Sequence, residues 1–195
     1  MIDPMPFATY SFVMSITPGP NNVMLTASGA TFGFRKTIPH ILGVLGGFSV
    51  VLFAVCAGLD AVFTRWPEIQ TVLRWVGAAY LVYLGWWILR SGEAKSVQSR
   101  KPLTALEAAG FQFLNPKAWM MTLTAAAMFL PREFGLMAAS SYMVGVMAVT
   151  NLPCITVWAL FGSSMRGFLA KPRGRMTFNV VLALALVVTG IAMVV

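Results

Sequence analysis

Two short polar clusters interrupt apolar segments of this chain, and each combines proline with asparagine. The first runs from Thr17 to Asn22 and the second from Asn115 to Lys117. Proline has no amide hydrogen, so inside a helix it leaves the carbonyl four residues earlier without a partner. The residue before a proline also favours extended backbone. We therefore predict two broken helices, each with free backbone groups beside amide side chains.

The residue types at the two breaks suit a ligand that carries both charges. Asn115 suits a helix N-cap and Pro116 the first helical position, so this break would offer free N–H groups and a positive dipole end to a carboxylate. Freed carbonyls of Met14, Ile16 and Gln112 would accept hydrogen bonds from an ammonium group. The predicted site for a small zwitterionic amino acid consists of Pro18, Gly19, Pro20, Asn21, Asn22, Asn115, Pro116 and Lys117, with Gln112 and Asn151 as secondary contacts.

Lys117 places an ionisable group in the middle of an apolar segment. A lysine at the centre of a membrane helix costs about 2.5–3.5 kcal/mol, and the first turn of a helix is unfavourable for a cation. We expect an anionic ligand to offset both costs, with snorkelling into an aqueous vestibule as the alternative.

The composition places these clusters in a membrane protein. Of 195 residues, 58% are hydrophobic and 10% are charged, whereas soluble domains carry about 25% charged residues. The net charge of +8 comes from short loops between apolar runs, which indicates contact with anionic lipid rather than nucleic acid. Two cysteines and a single histidine predict neither a metal site nor a bound cofactor.

Six apolar segments have the length of a membrane helix, which needs about 20 residues. They cover about 6–28, 38–60, 69–89, 106–130, 136–161 and 177–195. A polar stretch at about 91–105, expected to be a cytoplasmic loop, separates two groups of three. We expect an all-α integral membrane protein with a single transmembrane domain of two inverted three-helix repeats, at about 1–90 and 106–195, and with interrupted helices 1 and 4.

Lysine and arginine concentrate in alternate loops. In a six-span chain, ten of the fourteen lie on one side and only Arg65, Arg74 and Arg132 on the other. The positive-inside rule then puts both termini outside the cytoplasm. The first apolar run follows no basic region, so we expect a retained span rather than a cleaved signal peptide.

Several motifs resemble the lysine exporter (LysE/RhtB) superfamily of amino-acid exporters, and the last one resembles its cysteine/O-acetylserine branch. They are PGPNN at 18–22, GFR at 33–35, GAAYL at 77–81, LGW at 84–86, FQFLNPK at 111–117 and NVVLAL at 179–184. The resemblance implies a six-span inner-membrane exporter of amino acids or their derivatives, driven by the proton gradient. Its aspartate-bearing members imply an acidic coupling residue within the membrane, which no mid-span position here matches. The candidates for proton coupling that the resemblance then leaves are Lys117, Asp60 and His40, although a lone histidine is more often structural than functional.

Two alternatives remain open. Cys56 and Cys154 occupy similar positions in the second helix of each half, as a membrane carrier of reducing equivalents would require. In an inverted pair these positions lie roughly 15–20 Å apart across the membrane, whereas a disulfide needs Cα atoms within about 7 Å. The other alternative is a passive facilitator. The expected partners are a small zwitterionic amino acid, protons and lipid; no enzyme activity is expected, and a homo-oligomer is left open.

Overall fold

The computed structural model describes residues 3–59, 65–90, 101–131, 133–169 and 171–192. Over these ranges the chain is helical without strands, so the all-α prediction is confirmed. The helices are α1 (Met5–Ile16), α2 (Pro20–Phe32), α3 (Phe34–Ala54), α4 (Pro67–Arg90), α5 (Ala105–Leu114), α6 (Pro116–Phe129), α7 (Leu136–Ser164), α8 (Arg166–Leu169) and α9 (Pro172–Ala192), with a π-helical turn at Val55–Leu59 after α3.

Four of the described helical segments are long and apolar enough to cross a membrane: Phe34–Gly58, Thr71–Arg90, Leu136–Phe168 and Arg173–Ile191. They correspond to the second, third, fifth and sixth predicted segments. Their surfaces carry large exposed apolar side chains, among them Trp75, Val149 and Val188 at 60%, 75% and 63% exposure. Extended apolar surface of this kind suits contact with hydrocarbon.

The first and fourth predicted segments are each split in two at the predicted position. Between α1 and α2, Thr17 and Gly19 are extended, with ψ of 142° and 176°, and Pro20 opens α2. Between α5 and α6, Asn115 is extended (ψ 105°) and Pro116 opens α6. Both helices restart at a proline because the first helical position needs no amide hydrogen. The half-helices contain 12, 13, 10 and 14 residues, so each is too short to cross a membrane alone.

The second half of the first broken helix packs closely against α7. Gly29 of α2 lies against the backbone carbonyl of Ala159, and Gly162 of α7 lies against the carbonyl of Thr26. A Cβ atom at either glycine would overlap the opposite backbone. The Thr26 hydroxyl also donates a hydrogen bond of 3.2 Å to the carbonyl of Trp158. Small residues therefore allow α2 and α7 to approach until their backbones touch.

Buried apolar side chains form three clusters around the two breaks. The first joins α1, α3, α6 and α7, the second joins α2, α4, α5 and α9, and the third joins α2, α3, α5 and α7. Phe48 and Met121 belong to the first cluster and Ile155 to the third. These three side chains also face the space between the breaks, so the packed core forms its apolar wall.

Candidate functional site

The two breaks lie next to each other in space, although they are 100 residues apart in sequence. The Lys117 ammonium donates to the carbonyl of Thr17 at 2.7 Å, to the Thr17 hydroxyl at 3.0 Å and to the carbonyl of Pro18 at 3.3 Å. Asn21 and Gln112 exchange two amide hydrogen bonds, of 2.8 and 3.1 Å. The fold thus joins the two polar clusters that the sequence analysis singles out.

A cavity opens between the breaks and encloses about 320 Å³ of empty space, its mouth included. Part of its wall consists of predicted site residues: Gly19, Asn21, Asn22, Asn115, Lys117 and Asn151. The rest consists of Met14, of which the sequence analysis named only the carbonyl, and of residues that it missed: Ser15, Phe48, Ala118, Met121 and Ile155. Most of these reach the cavity through tertiary packing, which leaves no local sequence signal. Ser15 is the exception, because a polar residue so close to the first break could have been noticed.

At the first break, side chains donate hydrogen bonds to the two carbonyls that lose their helical partners because of the prolines. The Thr17 hydroxyl donates to the carbonyl of Met14 at 2.9 Å, and the Trp158 indole donates to the carbonyl of Ile16 at 3.1 Å. The prediction that these carbonyls are free acceptors for an ammonium group is therefore wrong. The acceptors that hold an ammonium group are instead the next carbonyls along the chain, those of Thr17 and Pro18.

Asn22 fixes the shape of the first break from within. Its amide nitrogen donates to the carbonyl of Ser15 at 2.9 Å and to the carbonyl of Thr17 at 2.8 Å. One side chain thereby ties the start of α2 to the end of α1 across the extended residues. Pro18 and Pro20 are not in the cavity wall, so their contribution is to the backbone path.

The second break is a single residue, Asn115, whose side chain caps α6. The Asn115 side chain accepts from the backbone N–H of Lys117 at 3.1 Å, so the predicted N-cap is confirmed. The carbonyl of Gln112, predicted to be free, accepts from the Asn115 N–H at 3.3 Å. The Gln112 side chain is fully buried, donates to the carbonyl of Ala108 at 2.9 Å and is absent from the cavity wall, as is Pro116. Gln112 therefore connects the two breaks through Asn21.

Lys117 is half-buried at the wall of the cavity, and its side chain passes over Gly19. A Cβ atom on Gly19 would lie 2.7 Å from Lys117 Cδ, so the glycine leaves the space that the lysine occupies. Carbonyl oxygens carry partial negative charge, and those of the first break surround the ammonium group. The chain itself thus supplies the compensation that we expected from an anionic ligand.

Of the other candidates for proton coupling, the structure describes only His40. His40, in α3, is 1% exposed and is not in the cavity wall. Neither of its ring nitrogens has a hydrogen-bond partner in the part of the chain that the structure describes. Asp60 lies outside the described residues. Within the described ranges, no group of three or more His, Cys, Asp and Glu side chains could hold a metal ion.

Cys56 and Cys154 are both buried, form no disulfide bond with each other and have different surroundings. Cys56 packs in the apolar cluster that contains Phe48 and Met143. The Cys154 thiol donates to the carbonyl of Thr150, one turn earlier in α7, at 3.2 Å. Neither cysteine lines the cavity.

Long apolar helices around a cavity that lies at two broken helices are typical of a membrane transport protein. In lipid an exposed backbone polar group costs several kcal/mol, so broken helices are tolerated where they line a cavity. The chain belongs to the LysE type translocator family, whose model matches residues 12–195. The resemblance noted in the sequence is therefore confirmed, and the chain is a multi-pass inner-membrane transporter rather than an enzyme.

The chain is also similar to individual proteins over most of their length. The chain is 35% identical to the cysteine/O-acetylserine efflux protein of Salmonella typhimurium over 93% of its own length and 92% of the relative's. It is 34% identical, with the same coverage, to the proteins of that name from Escherichia coli K12 and Shigella flexneri. No solved structure matches the chain.

Proposed function

We propose that this protein exports small zwitterionic amino acids or their derivatives through the cavity between the two breaks. The family and the names of the relatives support this assignment, with cysteine and O-acetylserine as the first substrates to test. The observation that carries the proposal is the contact between Lys117 and the carbonyls of Thr17 and Pro18. In this contact an ammonium group from one break already occupies acceptors on the other.

A zwitterion can insert into that contact without leaving a charge unpaired. Its carboxylate would attract the Lys117 ammonium, with the N-terminus of α6 adding its positive dipole end. Its own ammonium group would then take the acceptors that Lys117 leaves, at Thr17 and Pro18. Binding therefore exchanges one ammonium group for another at the carbonyls. Charge-assisted hydrogen bonds of this kind are worth about 1.5–3 kcal/mol each, which is enough to compensate for the bonds that Lys117 gives up.

The same exchange suggests how binding is coupled to movement. We assign α1–α2 and α5–α6 each to one interrupted span, which gives six spans in two inverted repeats, at about 1–90 and 106–195, with both termini outside the cytoplasm. Lys117 lies in the second repeat and Thr17 in the first, so their hydrogen bonds join the repeats. A substrate that replaces these bonds would change how the repeats are held together, as alternating access requires.

Lys117 is also the proposed proton carrier. It is the ionisable side chain in the cavity wall, whereas His40 is buried outside it. A proton released from Lys117 on one side of the membrane and regained on the other would drive export by the proton gradient. A passive facilitator would use the same cavity without this step, so dependence on a pH gradient separates the two functions.

The test is substrate uptake into everted vesicles with an acidic interior, where uptake corresponds to export. Labelled L-cysteine and O-acetyl-L-serine are the substrates. Lys117→Ala should abolish uptake driven by the pH gradient, because both the carboxylate partner and the proton carrier are lost. Lys117→Arg should restore substrate binding without proton release, and Lys101→Ala, at an exposed lysine outside the cavity wall, serves as the matched control. Full uptake by the alanine variant, at equal protein levels, would remove Lys117 from the mechanism.

A further inference from the structure

Two polar side chains in the cavity wall make no hydrogen bond to any described residue. Ser15 is 5% exposed, and its hydroxyl oxygen is inaccessible and without a partner within the described ranges. Asn151, at 4% exposure, also lines the cavity, and none of the hydrogen bonds among the described residues involves its amide group. A buried polar group without a partner is destabilising, and the Ser15 hydroxyl is such a group. Together with the unpaired amide of Asn151 in the same cavity wall, it points to a ligand that pairs with both.

Ser15 contrasts with six other hydroxyl side chains in the described helices. A serine or threonine in a helix can donate to the carbonyl four residues earlier. That bond is made by Thr26, Thr37, Ser49, Thr122, Thr150 and Thr189, at 2.6–3.0 Å. Ser15 makes no such bond, so its hydroxyl group keeps its full capacity to donate and accept at the cavity wall.

The neighbouring wall restricts what can reach these two groups. Met14, Phe48, Met121 and Ile155 line the same cavity with apolar surface. The ionisable side chain in the wall is the cation Lys117. A second positive charge on a ligand would therefore meet apolar side chains and a like charge, whereas a short neutral side chain would fit.

We propose that Ser15 and Asn151 form the subsite that contacts the substrate's side chain. This subsite accepts a short side chain that ends in a hydroxyl, thiol or ester carbonyl group. Serine and asparagine side chains can each donate and accept a hydrogen bond, so they can pair with terminal groups that donate and with those that only accept. A site built to hydrogen-bond such a group discriminates against an analogue that lacks it, because its own polar groups are then left unpaired. This inference rests on the proposed export of amino acids through the cavity.

The experiment compares two substrates that differ in one terminal group. L-Serine and L-2-aminobutyrate have nearly the same shape, but only serine carries a hydroxyl group. Uptake of each into everted vesicles gives a ratio that does not depend on protein level. We expect the wild-type protein to favour serine by about tenfold, and Ser15→Ala and Asn151→Ala each to remove most of that preference. L-Lysine should be transported at least tenfold more slowly than serine.

Ser140→Ala is the matched control. Ser140 is another fully buried serine whose hydroxyl has no partner among the described residues, but it does not line the cavity. Its ratio should equal that of the wild type. Unchanged ratios in Ser15→Ala and Asn151→Ala, or an equal change in Ser140→Ala, would overturn the subsite while leaving export intact. If the wild-type protein transported none of these amino acids, nor the two substrates named above, the proposed function would fall as well.

Discussion

The two breaks differ in construction, and the difference assigns them different tasks. The first contains two prolines and extended Thr17 and Gly19, and it turns backbone carbonyls toward the second break. The second is a single extended residue, Asn115, which caps α6 and brings a cation into its first turn. One break therefore supplies acceptors and the other supplies donors. Under the proposed function, a dipolar solute would meet two unlike ends rather than two copies of the same motif.

Restoring a continuous helix at the first break should have the largest effect on uptake. Pro18→Ala combined with Pro20→Ala restores the amide hydrogens that a continuous helix needs, at a gain of about 3 kcal/mol per removed proline in helical propensity. The carbonyls of Thr17 and Pro18 would then turn into the helix and leave Lys117 without acceptors. We expect at least a tenfold loss of uptake in everted vesicles. Pro116→Ala is the control, because the Asn115 cap would remain, and its uptake should stay within about twofold.

Filling the space beneath Lys117 should have the next largest effect. In Gly19→Val the new side chain would displace Lys117, since even a Cβ atom would lie 2.7 Å from Lys117 Cδ. Uptake should fall about fivefold to tenfold as the hydrogen bonds to Thr17 are lost. Gly110→Val is the control, because its Cβ atom would have no neighbour within 4 Å. Equal losses in both variants would show that the effect does not arise at Lys117.

The two hydrogen bonds between Asn21 and Gln112, which join the breaks, predict coupled effects on stability. Asn21→Ala and Gln112→Ala each remove a hydrogen-bond partner from a partly or fully buried amide, which should lower the free energy of unfolding by about 1–3 kcal/mol. The double variant should cost less than the sum of the two, because neither amide then remains without its partner. Thermal unfolding of the four purified proteins in detergent measures this coupling. Strict additivity would mean that the pair does not hold the breaks together.

Removing both cysteines should have the smallest effect. Cys56→Ala combined with Cys154→Ala leaves the cavity wall untouched, so uptake of O-acetyl-L-serine should remain within about twofold of the wild type once protein levels are matched. A thiol carrier would instead lose its activity completely. The same vesicles, tested for transfer of reducing equivalents, distinguish these outcomes.

Local chemistry made the breaks predictable. Proline spacing located both, and the preference of asparagine for N-caps identified Asn115 as the residue that starts α6. The partners of the freed carbonyls were not predictable in this way. Trp158 reaches Ile16 from α7, 142 residues away in sequence, and the compensation of Lys117 comes from the opposite break rather than from an acid.

The apolar wall was not predictable either, for a related reason. Phe48, Met121 and Ile155 have the same character as dozens of other apolar residues in this chain, and only helix packing selects them. Ser15 carried a weak signal, as a polar residue just before the first break. The number of spans and the orientation of the termini stay predictions, because they depend on a membrane and on how the half-helices pair within it.

The close contact of α2 with α7 affects the free energy with which the proposed site would bind a substrate. Both halves of the first broken helix are fastened to α7: α2 through Gly29 and Gly162, and α1 through the indole of Trp158 at Ile16. The carbonyls of Thr17 and Pro18 are thus held in place by α7, and a solute that binds them as proposed would lose little binding energy to ordering of the backbone.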